Sequence, residues 1–414
     1  MATVHVVGAG LAGLAAAVRL VERGRRVVLY EAAQQAGGRC RSFFDRTLGR
    51  VIDNGNHLLL SGNRSALDYL RAIGAADSLI GPREASFPFV DLQSGARWVV
   101  RPNRGHLPYW IALPARRVPG TRLRSYLAAW RLARATPEQT VGDCLDPSDP
   151  LWRTFWDPLA RSVLNTPPVA GSAHLLWAVF KESFVRGAVG CRPLIARDGL
   201  AASLVEPALE LLRDRGAEIA FGHRLRAIER DERVRELDFA GRRVALEPDE
   251  CVILAVPPGQ AGALLPEIVV PEGSHAIVNG HFRLPQPVRL PGDGVLLGLI
   301  GGTAEWLFTR GEMVSLTVSA ADALADEPAE AIAARLWRDT ARALDLPPEP
   351  QPPARIVKER RATFAQTPAA VARRPGARTR WANLLLAGDW TATGLPATIE
   401  GAIRSGHQAA GLVR

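Results

Sequence analysis

Lysine is almost missing from this chain of 414 residues. Lys181 and Lys358 are the only two, so the formal charge of +9 is carried by arginine. A guanidinium excess suits an anionic membrane face or nucleic acid, and it also follows from a GC-rich coding bias. Cysteine is sparse as well. Cys40, Cys144, Cys191 and Cys251 lie far apart with no C-x-x-C pair. That spacing suggests neither a zinc site nor a disulfide framework; no metal is expected, and a reducing cytoplasm fits best. Nothing approaches roughly 18 uninterrupted apolar residues, and no basic segment precedes an apolar one at the start. Neither a spanning helix nor a secretory leader is expected, so the chain reads as cytoplasmic, soluble or peripheral to a membrane.

Hydrophobic residues make up 47% and charged residues 22%, a globular balance. The length exceeds what one hydrophobic core usually serves, so two domains are expected. Residues 3–7 alternate and are β-branched, residues 14–23 have helical periodicity, and residues 26–30 form a second apolar strand. Together they predict a βαβ beginning on a buried parallel sheet. Residues 80–195 change texture, with scattered Trp, Pro and Arg, and read as a helical, apolar-lined insertion. A helix at 200–215 and strands at 218–221, 225–229 and 251–256 then return to the first domain.

Gly8-Ala9-Gly10-Leu11-Ala12-Gly13 lies between that first strand and first helix. In this context the glycines permit a tight turn at Gly8, close approach of a pyrophosphate at Gly10 and close helix-strand packing at Gly13. The helix N-terminus, from Leu11 and Ala12 onward, would hold the phosphates. Glu31 ends the second strand, where a carboxylate accepts from a ribose diol and disfavours a 2′-phosphate. This fold serves NAD and FAD alike.

Further motifs carry a resemblance. Gly37-Gly38-Arg39, Asp53-Asn54-Gly55-Asn56-His57 and Leu384-Leu385-Leu386-Ala387-Gly388-Asp389, followed by Pro396-Ala397-Thr398-Ile399, are similar to the flavin amine oxidase and phytoene desaturase superfamily. The resemblance implies an α/β fold, with a Rossmann-like FAD-binding domain at 1–80, 196–268 and 378–414. A discontinuous α+β substrate domain would occupy 81–195 and 269–377. It implies non-covalent FAD, with Gly37 and Gly38 against the dinucleotide and Arg39 near phosphate. Asn54, Gly55, Asn56 and His57 would run beside the flavin, with Gly55 letting backbone approach a flat ring. Leu225 would pair with adenine, and Gly388 and Asp389 would meet the ribityl or phosphate region. Pro396, Ala397, Thr398 and Ile399 would open a helix toward the flavin, with Glu400 at that end.

Phe155-Trp156-Asp157-Pro158, Asn165-Thr166-Pro167 and the string from Ala387 to Thr398 resemble, more narrowly, the hydroxysqualene dehydroxylases of bacterial hopanoid and squalene biosynthesis. The likeness spans residues 4–406, with Asn56, Asp157 and Leu395 departing from the expected Gln, Glu and Trp. It implies that reduced flavin N5 delivers hydride to the allylic cation of a C30 isoprenoid alcohol, giving squalene and water. Such chemistry needs an acid for the leaving hydroxide and a dry apolar cavity. Asp157, set among apolar residues, and His57 are the candidate catalytic proton donors. Asp157 before Pro158 also fits a helix N-cap. Trp152, Phe155 and Trp156, and Trp177, Phe180 and Phe184, fall at helical spacing as candidate cavity walls. Residues 106–134 interleave Trp110, Tyr126 and Trp130 with six arginines, which suits a peripheral contact with an inner-membrane surface better than nucleic acid. Two alternatives stand beside this reading: a carotenoid-type desaturase or amine oxidase of the same fold, and a non-enzymatic isoprenoid-lipid carrier.

Overall fold

The computed structural model describes residues 2–291 and 294–413. Five parallel strands form one sheet in the order Glu218–Phe221, Arg26–Glu31, Thr3–Val7, Cys251–Leu254 and Leu384–Leu386. Every residue of Thr3–Val7 is buried, which is why this strand is rich in valine on both faces. The helix Leu11–Glu22 covers the sheet with Leu14, Ala15, Ala16, Ala17 and Val18, all fully buried. Its small residues let the C-terminal helix Ile399–Leu412 lie directly against it. A Cβ at Gly406 would fall 2.2 Å from the Ala12 carbonyl oxygen.

A second sheet has seven strands, in the order Ala354–Phe364, Ser274–Arg283, Met313–Val318, Trp306–Arg310, Leu296–Ile300, Phe87–Asp91 and Arg97–Val100. Only the Leu296–Ile300 and Phe87–Asp91 pair is parallel. Side chains alternate between its faces. Trp306 and Phe308 pack on one side with Phe89, Phe155 and Phe184, whereas Leu307 packs on the other with Leu316, Leu336 and Trp337. The helices Asp157–Leu164 and Ala173–Glu182 build on the first face, and Ala329–Leu344 covers the second.

Two local expectations are corrected. Residues 80–195 are not purely helical, because the hairpin Phe87–Asp91 and Arg97–Val100 joins the seven-stranded sheet. Pro88 removes a ladder N–H and disguises the first of these strands. The helix expected at 200–215 is two, Leu200–Leu204 and Glu206–Asp214. Pro207 cannot donate a backward hydrogen bond, so the chain breaks at Val205. Among the described residues no helix is long and apolar enough to cross a membrane.

Candidate active site

One cavity of about 1150 Å³ runs from the C-terminal ends of the parallel strands to the first face of the seven-stranded sheet. Residues just beyond four of those strands line it: Gly8, Ala32, Ala255 and Gly388. Such a crevice is where open α/β sheets bind ligands. The glycine loop explains its shape. Gly8 has φ +106, and a Cβ there would meet the Ala255 carbonyl oxygen at 2.4 Å; at Gly13 it would lie 1.8 Å from the Gly8 oxygen. At Gly10 nothing lies within 4 Å. Gly13 is therefore a packing residue and does not line the cavity, whereas Gly10 faces space that a phosphate can fill. The helix that follows has no side-chain cap and no acid in its first turn, leaving the N–H groups at its start for an anion.

Glu31 accepts from the N–H groups of Ala9 (2.8 Å) and Ala33 (2.9 Å), which fixes its carboxylate beside the loop. The Gly37 N–H donates to the Ala9 oxygen at 2.8 Å, and Gly38 lies over Gly10. Arg39 pairs with Asp389 at 2.7 Å and also donates to the Ala362 carbonyl. Two charged residues 350 positions apart thus meet on one wall. Leu225 lines the same end.

The 53–57 segment is strung between the two sheets. Asp53, buried, accepts from Ser42 (2.6 Å) and Leu200 (2.8 Å) and pairs with Arg310 (3.0 Å). Asn56 donates to Thr317 Oγ1 at 3.0 Å, and its N–H reaches Asn279 Oδ1 at 3.3 Å. Asn54 is buried with no partner for Oδ1 and faces the cavity, an orphaned acceptor that a bound group can satisfy. A Cβ at Gly55 would lie 3.0 Å from Asn279 Nδ2, so the close approach there is to an amide of the second sheet.

Sequence reasoning missed Arg374 and Gln366. Arg374, buried, donates to the carbonyls of Leu395 (2.7 Å), Asp389 (2.9 Å) and Thr391, and so shapes the loop after the last parallel strand. Burial pushes its pKa down to about 10. Gln366 Oε1 accepts the Ala397 N–H at 2.8 Å, and its own N–H donates to Thr166 Oγ1 at 2.9 Å. The 165–167 motif is thereby clamped to the C-terminal loop. Thr398 caps the last helix by accepting from Gly401 at 3.1 Å. Ala397, Thr398 and Ile399 line the cavity; Pro396 does not. Glu400 does not simply serve that helix end: it accepts from the N–H groups of Ser65 (3.0 Å) and Ala66 (2.8 Å) and pairs with Arg404.

The far end is apolar. Phe155, Phe180 and Phe184 line it, with Phe180 stacked on Phe184 at 4.9 Å between centroids; Trp152, Trp156 and Trp177 lie outside. Phe87, Phe89, Trp306 and Phe308 add four rings from the sheet. Their spacing of two is the strand signal that helical periodicity passes over. Asp157 does not line the cavity. It sits inside a continuous helix, after the π-helical turn Trp152–Trp156, and Arg161 Nε holds both carboxylate oxygens at 3.0 Å. It is neither an N-cap nor a desolvated acid. His57 lines the cavity, and burial lowers its pKa below the usual imidazole range against the pull of Asp53. Glu305, unsuspected in the sequence, has its carboxyl pushed up to about 7 by burial while accepting the Ser319 N–H at 2.9 Å. Among the described residues no His, Cys, Asp and Glu cluster could hold a metal.

The flavin containing amine oxidoreductase family model matches residues 11–414. A hydroxysqualene dehydroxylase of Rhodopseudomonas palustris is 50% identical over 413 residues, 99% of this chain and 98% of that protein. Those of Sinorhizobium fredii and Zymomonas mobilis are 49% and 43% identical over 99% and 100% of this chain, and 97% and 99% of theirs. Among solved structures, cyclohexylamine oxidase from Brevibacterium oxydans superposes with a TM-score of 0.72 at 16% identity, covering 100% of this chain and 98% of its own. A putrescine oxidase triple mutant superposes equally well, 0.72 at 18% identity, covering 99% and 98%. At these identities the solved structures establish the fold, and the family follows from the near-complete match in sequence: the chain belongs to the flavin containing amine oxidoreductases, beside the hydroxysqualene dehydroxylases.

Proposed function

We propose that this chain is an FAD-dependent oxidoreductase that removes the hydroxyl of hydroxysqualene, a C30 allylic alcohol, to give squalene. The observation that carries the reading is one continuous cavity that joins a dinucleotide cradle to an aromatic chamber, in a chain half-identical end to end to a hydroxysqualene dehydroxylase. Its 1150 Å³ exceeds the roughly 300–1,000 Å³ of a usual ligand pocket, as room for a cofactor and a long substrate requires.

The residues present fit the cofactor. The start of helix Leu11–Glu22 takes the pyrophosphate, Glu31 the ribose diol, and Asn54 offers its unpaired oxygen. Arg39, fixed by Asp389, supplies positive charge along the phosphate and ribityl path. Held there in its reduced form, FAD would supply the hydride. Phe155, Phe180 and Phe184 exclude water from the reacting carbon, and ring faces steady an allylic cation. His57 is the proton-bearing side chain at the junction of the two ends. Neither lysine lines the cavity, which speaks against an amine oxidase that keeps a lysine at its flavin. The room that the glycine loop leaves for a phosphate at Gly10 speaks against a carrier that has lost its cofactor.

A membrane-facing surface is part of this reading. Leu107, Tyr109, Leu113, Leu123, Leu127, Trp130, Val185 and Val189 are exposed. The two segments that bear them meet where Ala188 donates to the Asn103 oxygen at 2.8 Å. Arg104, Arg122, Arg124, Arg131 and Arg134 are interspersed with the first six along the chain, exposed and without ion-pair partners among the described residues. Trp110 and Tyr126, by contrast, turn inward and pack edge to face. Val185 directly follows Phe184, which lines the cavity, so this face lies against the outside of the chamber wall. An anionic bilayer fits both the charge and the apolar side chains.

Anaerobic mixing of the reduced protein with hydroxysqualene tests the function: the flavin should reoxidise with one squalene formed per flavin. A flavin that stays reduced would remove the substrate assignment. Co-sedimentation with phosphatidylglycerol vesicles, but not phosphatidylcholine vesicles, tests the surface, and equal pelleting of Trp130→Ser with Leu107→Ser would refute it.

A further inference from the structure

A second cavity, of about 430 Å³, lies behind the 53–57 segment, and Asn56, His57 and Phe308 border both spaces. The two differ in kind. The larger is aromatic at its substrate end; the smaller is walled by Asp53, His281, Arg310 and Ser315. His281 is 2% exposed, with Nδ1 2.8 Å from Ser315 Oγ and Nε2 without a partner. Arg310 binds Asp53 at 3.0 Å, and its Nε also has no partner. A buried group left unpaired is costly unless something satisfies it. A polar space of this size holds several waters at about 30 Å³ each. Arg197, Asp198 and Val51, all exposed, stand at the rim and open it to solvent.

Replacing a hydroxyl by hydride consumes one proton and releases one water each time, and the phenylalanine rings of the chamber carry no group that exchanges protons. We propose that the second cavity is a water-filled antechamber that brings protons in and lets water out, with His57 passing the proton across. This rests on the proposed dehydroxylation. In the step, the C–O electron pair leaves with oxygen, which takes a proton from one His57 ring nitrogen and departs as water. The other ring nitrogen takes a proton from antechamber water, and bound reduced flavin would supply the hydride at the carbon. A neutral imidazole has one donor and one acceptor nitrogen, as such an exchange needs. Asp53 and Arg39 are the charged groups that act on it, one of each sign, and the Arg39 backbone is also within hydrogen-bonding reach of the ring. His281, Ser315 and the Asp53–Arg310 pair touch no substrate and are positioning residues for the water.

A high-resolution crystal structure of the holoprotein should show ordered water against His281 Nε2; a dry cavity would overturn the proposal. Two variants obstruct the space from opposite ends, His281→Phe at the floor and Val51→Trp at the exposed rim, so failure of one to fold leaves the other. Both should keep their flavin, reoxidise about 10-fold or more slowly with hydroxysqualene, and show a larger solvent deuterium isotope effect. His281→Asn, which keeps a polar group, should stay within about threefold of the parent. Unchanged rates and isotope effects in both obstructing variants would sink the antechamber. Failure of the parent protein itself to reoxidise would instead remove the dehydroxylation reading, and the crystallographic water would still report on the cavity.

Discussion

The two ends of the main cavity are built by opposite means. The nucleotide end is built mainly from three short stretches, 8–13, 31–39 and 388–399, with Leu225 and Ala255 beside them, and backbone does most of the shaping. The aromatic end draws single side chains from elements between Phe87 and Ser319 and has no continuous motif. A phosphate is recognised by N–H groups that any sequence can present once glycines allow the turn. A hydrocarbon is recognised by shape alone, which many side-chain sets can supply. The first end should therefore fail abruptly on one added methyl, and the second should fail by degrees.

The largest expected effect is at Gly13. Its Cβ would lie 1.8 Å from the Gly8 oxygen, so Gly13→Ala must part helix from strand, at more than the roughly 1–3 kcal/mol of ordinary overpacking. A much lower Tm and a colourless protein are expected. Gly10→Ala meets nothing within 4 Å, so stability should hold within about 1 kcal/mol while the flavin-to-protein ratio falls. A yellow, stable Gly13→Ala protein would break the comparison.

At the aromatic end Phe184→Ala should cost about 2–4 kcal/mol, near the usual loss for a buried ring but eased because Phe184 already borders a cavity. Flavin content should stay at the parent level, with denaturant unfolding reporting the loss. Equal loss of flavin would mean that the two ends are one cooperative structure.

This asymmetry also sets what could be read in the sequence. The βαβ start, the glycine loop and Glu31 are local and were legible, as was a last strand in the 384–389 motif, although the strand itself covers only Leu384–Leu386. That Arg39 meets Asp389 was not, because ion pairs leave no mark on spacing. Arg374 looked like one arginine among many, yet it organises the loop from Asp389 to Leu395 by hydrogen bonds to carbonyls. Phe87 and Phe89 were hidden by Pro88, and Trp306 and Phe308 by the search for helical rather than twofold periodicity. Asn279 and Gln366 tie the two ends together through backbone groups, and only a folded chain shows which backbone group needs a partner.

Glu305 gives a smaller effect, with a definite sign. Its carboxyl is raised from 4.5 to about 7 by burial, so between those values the folded state holds a proton that the unfolded state has lost. Stability contributed by this group is full below pH 4.5, falls as pH rises to about 7, and is level above. Glu305→Gln should flatten that part of the stability profile, by on the order of 1–3 kcal/mol at pH 8 relative to pH 4.5. Denaturant titrations at several pH values would show it, and an unchanged slope would mean that the carboxyl is ionised and solvated.

The smallest expected effect is at Asp157, where sequence alone pointed to a desolvated acid. The carboxylate is instead part-exposed, 28% for the side chain, and both oxygens face Arg161 one turn along the helix. A pair of this kind contributes about 0–1 kcal/mol, and no cavity wall brings it to a substrate. Asp157→Asn should keep its flavin and turn over within about twofold of the parent, where loss of a general acid would cost about 100-fold or more. A large drop would mean that helix Asp157–Leu164 turns its N-terminal end into the cavity when substrate binds, and that the aromatic end, unlike the glycine cradle, is completed by its ligand.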